Sequence, residues 1–183
     1  MSIATTSRTE LPTGTWQLDP VHSSIGFSVR HMLVSTFEGE ITDIRATLAV
    51  DDDAARLEGT GLAASVRVAD ESLTAHLLAP DFFDAERHPE IRLTSEEIRR
   101  DGDAVSATAE FTLRGITRPI ELEGTVAGPV EDPYGNARLG LTLETVVNRT
   151  DFGLIWNAPL PGGGLVLGDA VTLTARLELV RDA

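Results

Sequence analysis

Apolar and polar residues alternate along most of this chain. Ile25, Phe27 and Val29 share one parity, while Gly26, Ser28 and Arg30 share the other. A period of two marks a strand with one buried face. The same alternation runs through Val105, Ala107, Ala109, Phe111 and Leu113, then Ile120, Leu122, Gly124 and Val126. It returns in Leu139, Leu141, Leu143, Thr145 and Val147, and again in Val171, Leu173, Ala175, Leu177 and Leu179. Further strands are expected over Gly14–Asp19, Leu57–Ala69 and Glu90–Ile98. Between Ser35 and Val50 the pattern changes phase. Ile44, Ala46, Leu48 and Val50 share a face, but Phe37 and Ile41 lie on the opposite parity, so a bulge or twist is expected near Thr42-Asp43.

The period shifts once. Asp70 is placed to cap a short helix carrying Leu73, His76 and Leu77, and Pro80 starts a second short helix over Asp81–Asp84. Asp101-Gly102-Asp103 is a hairpin signal, Gly115–Arg118 a turn, and Gly128–Ala137 and Asn157–Gly164 longer loops. About eight strands in meander order, with so little helix to cover their apolar faces, favour an all-β fold: an eight-stranded antiparallel, lipocalin-like barrel with a short helical insertion. A β-sandwich is the alternative. Residues 1–13 read as a flexible lead-in and 14–183 as a single domain.

Small residues on the inward parity (Ala107, Ala109, Gly124, Ala175) either leave room for an apolar guest or balance the volume of Phe27, Phe111 and Trp156. Continuing the parity from Leu139 puts Arg149 on the apolar face. There it needs a partner, Asp151 or Glu144 being nearest in sequence, or it meets a polar ligand head at the barrel mouth.

Composition narrows the classes. A net charge of −14 argues against nucleic acid and anionic lipid surfaces, both of which select basic faces. All 15 basic residues are Arg. The absence of cysteine excludes disulfides, thiolate zinc sites and cysteine nucleophiles. No run approaches a membrane span. The first ten residues lack an apolar signal core, so a cytoplasmic location is expected.

Several stretches together resemble the YceI-like family of lipocalin-like, lipid-binding bacterial proteins. They are Trp16–Ser23, Phe27–His31, Leu78–Asp84 with His88-Pro89, Leu113–Pro119 and Asn148–Gly153, in family order. The resemblance implies an eight-stranded barrel around an elongated apolar cavity. It also implies binding of polyisoprenoids, prenyl quinones or fatty-acid derivatives, without a catalytic assignment. Many such proteins carry a secretion signal, and this sequence departs there.

Other chemistry is weaker. Asp19, His22 and Ser23 or Ser24 contain the residue types of a nucleophilic triad, but residues so close on a turn rarely converge, and no Gly-x-Ser-x-Gly elbow is present. They are expected instead at the barrel rim. The histidines, His22, His31, His76 and His88, have no metal-site spacing. Pro161–Gly164 lacks a phosphate-loop ending and reads as a flexible loop over a barrel end. Phe82 and Phe83 suit a plug of the barrel, a hydrophobic lid or plain core packing.

The expected function is therefore binding, transport or storage of a long-chain apolar small molecule, with no catalytic residue, cofactor or metal. Phe27, Val29, Phe82, Phe83, Ala107, Ala109, Phe111, Leu141, Leu143 and Trp156 are the expected lining, and Arg30, His31 and Arg149 the contacts to a polar head. A homodimer is compatible with this reading. The alternatives are sequestration of lipophilic toxins, and a hydrolase or isomerase working through His22.

Overall fold

The computed structural model describes residues 10–183; the first nine residues of the expected lead-in lie outside them. Twelve strands form one antiparallel sheet: β1 (Gly14–Leu18), β2 (Ser24–His31), β3 (Ser35–Ile41), β4 (Ile44–Val50), β5 (Ala55–Leu62), β6 (Val66–Val68), β7 (Glu90–Ser95), β8 (Arg99–Asp101), β9 (Ala104–Leu113), β10 (Ile116–Glu131), β11 (Ala137–Asn148) and β12 (Leu167–Arg181). Several are halves of one long strand. β1 and β2 lie end to end along the same edge of β12, with Trp16 opposite Arg181 and Ile25 opposite Ala175. β3 and β4 continue one another across the break at Thr42-Asp43, where the hydrophobic phase changes. Merging these halves leaves eight wall positions in meander order, closed by β12 onto β1 and β2. The structure is the expected eight-stranded antiparallel barrel.

The alternating positions face inward as the pattern requires. Ile44, Ala46, Leu48 and Val50 are buried on β4, as are Val105, Ala107, Ala109 and Phe111 on β9 and Leu139, Leu141 and Leu143 on β11. The two ends differ. At the end where β4 meets β5 and β10 meets β11, Trp16, Leu48, Leu139, Leu141 and Leu179 are fully buried and plug the barrel. Leu11 joins this core, and Trp16 Nε1–H donates to the Pro12 carbonyl at 3.1 Å.

The other end is roofed rather than plugged. Asp70 Oδ1 accepts from Ser72 N–H at 3.0 Å, the expected cap, and leads through a 3-10 turn (Glu71–Leu73) into helix α1 (Thr74–Leu78). The expected second helix at Asp81–Asp84 is instead a knot of turns. Ala79 carbonyl accepts from both Phe82 and Asp84 N–H, at 3.0 Å each, and Asp84 adopts φ of 49°. Two further boundaries move. The turn expected at Gly115–Arg118 contains only Arg114 and Gly115, both left-handed, so Ile116 already pairs with Leu113. The loop expected from Gly128 starts later. β10 passes through an irregularity at Gly128-Pro129 and stays paired to Glu131, where Asp132 caps a tight turn by accepting from Tyr134 and Asn136 N–H at 2.9 Å.

Candidate functional site: an apolar chamber beneath the roofed mouth

Between the plug and the roof the barrel is hollow. The main chamber has a volume of about 260 Å³. One water needs roughly 10–15 Å³ on such a measure, so this is no packing defect. β2 supplies Ile25, Phe27 and Val29, β12 supplies Val171 and Leu173, and β9 supplies Phe111. A second chamber of about 110 Å³ lies deeper, lined by Ala46, Leu57, Leu122, Leu143 and Ala175 among others. The two share Ile25, Ile41, Ile91, Phe111 and Leu173, so they lie next to one another along the barrel with these side chains between them.

The roof is aromatic. His76 of α1 meets the rings of Phe82 and Trp156 edge-on, with centroids 4.8 and 5.3 Å away, and Phe82 lies 5.6 Å from Trp156. Phe83 reaches down to Phe27 at 6.1 Å. Gly39 stands opposite Phe27 in the ladder because a Cβ there would collide with the Phe27 ring. Arg114 ties two parts of the roof together, donating to the carbonyls of Gly153 and, at 2.8 Å, Pro80.

The ionisable residues in the main chamber wall are His31, His76 and Arg149. Arg149 starts a 3-10 turn (Arg149–Phe152) and is buried. Its Nε donates to the Gly168 carbonyl at 2.8 Å, and its Nη1 to the carbonyls of Leu154 at 2.6 Å and Trp156 at 2.9 Å. Its acidic partner is Asp169 at 3.4 Å, not Asp151 or Glu144. Burial pushes the guanidinium pKa down, and Asp169 opposes this. The sequence nominated the wrong acids because the chain returns through β12, and that pairing is not local.

The expected lining residues divide into three groups. Phe27, Val29, His31, Phe82, Phe83, Phe111, Arg149 and Trp156 surround the main chamber, and Leu143 the deeper one. Ala107, Ala109 and Leu141 are buried but line neither chamber. Arg30 points outward, its Nη2 donating to the Leu33 carbonyl at 2.8 Å. Gly124 leaves no vacancy either: a Cβ there would collide with the Thr142 carbonyl, so close strand approach explains it. Missed by sequence reasoning were His76 and Leu77, whose helical spacing did not reveal which barrel end they cover. Ile25, Val171 and Leu173 were legible from parity alone.

The polar cluster at Asp19 lies elsewhere. It sits on the outer wall near the plugged end, not at the rim. His22 Nδ1 is 2.9 Å from Asp19 Oδ2, and Arg138 joins Asp19 at 2.9 Å, Glu178 at 2.7 Å and Asp132 at 2.8 Å. Asp19 is held at about 2, chiefly by the His22 hydrogen bond and next by Arg138, while the same contact raises the pKa of His22. Ser23 Oγ accepts from Glu178 N–H at 2.9 Å and so belongs to the backbone rather than to His22. Asp19, His22 and Glu178 are close enough to share a cation, but the Arg138 guanidinium already supplies that charge.

Comparison with known proteins places this architecture. Residues 16–179 match the model of the YceI-like domain. A UPF0312 protein of Pectobacterium atrosepticum is 31% identical over 136 residues, covering 73% of this chain and 71% of that protein. The YceI protein of Escherichia coli O157:H7 is 29% identical over the same coverage. Among solved structures, Burkholderia cenocepacia BcnA superposes with a TM-score of 0.74 at 18% identity, over 88% of this chain and 98% of that one. A polyisoprenoid-binding domain from Saccharophagus degradans gives 0.71 at 13% identity, over 93% and 100%.

Proposed function

Because this chain belongs to the YceI-like domain family, we propose that its barrel binds a long apolar chain of the isoprenoid or acyl class and carries or stores it. The observation that carries this reading is the main chamber under the roof, whose wall is apolar apart from two histidines and one arginine already engaged by carbonyls, with a second chamber adjoining it deeper in the barrel. Such a wall offers burial and little else. Each methylene taken from water stabilises by about 0.8 kcal/mol, or roughly 3–4 kcal/mol per five-carbon unit, before the cost of ordering the chain. The structural similarity to a polyisoprenoid-binding domain supports the chain type. The tail lies along Phe27, Val29, Phe111 and Leu143. The head stays beneath Phe82, Phe83 and Trp156, within reach of His31, His76 and the Nη2 of Arg149. Binding rather than catalysis fits a chamber in which, among the described residues, no nucleophile is paired with a base, and the binding state is proposed to operate in the cytoplasm.

The two tryptophans make a clean test. Trp16 is sealed in the plug, whereas Trp156 roofs the chamber. In a Trp16→Phe variant, Trp156 alone reports. Titration with a prenyl quinone should quench its emission to saturation at one equivalent, and native mass spectrometry should show the matching adduct. Neither quenching nor an adduct with prenyl and acyl chains of several lengths would refute the proposal.

A further inference from the structure

Beside the chamber mouth the chain exposes large apolar side chains where a soluble hairpin would show polar ones. The turn between β2 and β3 closes with Val34 N–H donating to the His31 carbonyl at 3.2 Å. Met32 and Leu33 inside it have φ of 55° and 64°, a conformation that favours Asn and Gly and penalises long side chains. Both are exposed, and Val34 is 83% exposed. The tip adjoins the long loop before β12: Met32 N–H donates to the Val166 carbonyl at 2.8 Å, and Leu33 packs on Gly164. That loop displays Ile155, 74% exposed, and Leu165.

Charge separates this flank from the rest of the molecule. No Asp, Glu, Lys or Arg occurs from Phe152 to Gly168 or from His31 to Phe37. The acidic groups Asp51–Asp53, Asp101, Asp103, Glu131 and Asp132 lie at the plugged end, the opposite pole of the barrel. At the mouth end itself, Asp70, Glu71 and Asp81 around the helix are exposed, as are Asp151 and Asp169, which bracket the uncharged loop. An apolar flank beside the opening, carrying one cation where Arg30 Nη2 donates to the Leu33 carbonyl, complements a lipid surface of zwitterionic phosphate headgroups.

We propose that the Met32–Val34 tip and the Ile155 and Leu165 loop dock the barrel mouth on a zwitterionic bilayer. This rests on the reading that the chamber holds a lipid chain, because docking there shortens the chain's path between bilayer and barrel. Insertion is hydrophobic, so it does not depend on salt or on anionic lipid.

The test is sedimentation of the full chain with phosphatidylcholine vesicles. Binding should survive high salt and should not strengthen when phosphatidylglycerol is added. Replacing Met32→Asn together with Leu33→Gly gives the turn residues that its backbone favours, so the fold should hold while vesicle affinity falls by about tenfold or more. Ile155→Asp should weaken binding through a different loop. The Asn-Gly variant should still fill its chamber from a dispersed prenyl quinone, yet load more slowly from vesicles. Wild-type vesicle affinity in both variants, or binding that requires anionic lipid, overturns the proposal. So does a dimer in sedimentation velocity that these substitutions dissociate while no vesicle binding is seen: the flank is then covered by a second copy. An empty chamber with vesicle binding intact would refute the ligand reading and leave docking standing.

Discussion

Replacing Arg149 by Met separates two roles that its position allows. If Arg149 holds the roof, its loss is felt without any ligand. Its three carbonyl contacts, to Gly168, Leu154 and Trp156, are charge-assisted, and each such bond contributes about 1.5–3 kcal/mol. Two effects lower that ceiling. Removing the guanidinium also removes the several kcal/mol spent on burying it, and carbonyls in a loop at the barrel end regain water. The net loss expected is about 3 kcal/mol, a large share of a domain stability of roughly 5–15 kcal/mol. Arg149→Lys should recover little, since one ammonium on a flexible stem cannot fork to three carbonyls on two segments. Guanidinium chloride unfolding followed by circular dichroism measures both variants. A loss below about 0.5 kcal/mol for Arg149→Met, combined with collapsed affinity for a prenyl quinone, would refute the argument. Arg149 would then be chiefly a head contact.

Two other outcomes are expected. Ala175→Phe should fill the deeper chamber, which Ala175 lines beside Leu143, and so shorten the longest chain retained; native mass spectrometry with a series of prenyl lengths reads this, and an unchanged cut-off would place the tail elsewhere. The pH dependence of stability follows from the outer cluster. Asp19 is lowered from 3.8 to about 2, so its contribution is present above 3.8 and is lost as pH falls towards 2. His22 is raised from 6.5, so its contribution is complete below 6.5 and is lost as pH rises through the folded value. The thermal midpoint should therefore decline above about pH 6.5 in the wild type but less in His22→Gln, and parallel profiles there would contradict the assignment.

The sequence by itself determined the walls. Alternation through Val105–Leu113 and Leu139–Val147 specifies which side chains face inward, because successive residues on a strand point to opposite faces, whatever encloses them. The phase change at Thr42-Asp43 was legible for the same reason, and the Asp70 cap is local chemistry. What parity cannot convey is height along the barrel. Ala107, Leu141 and Phe111 share an inward face, yet the first two lie away from the hollow that Phe111 lines, a matter of register between distant strands. Partners across long separations were equally hidden: Arg149 meets Gly168 and Asp169 because β12 returns beside β11. Only the tertiary structure decided which end is plugged and which is roofed. Closure brings Trp16 against the plug and the helix, Phe82 and Trp156 over the mouth, and it moves Asp19 and His22 from the expected rim to the outer wall. The physical reason is that a strand's faces are set by its own residues, whereas its neighbours, and so the shape of the space inside, are set by the closed sheet.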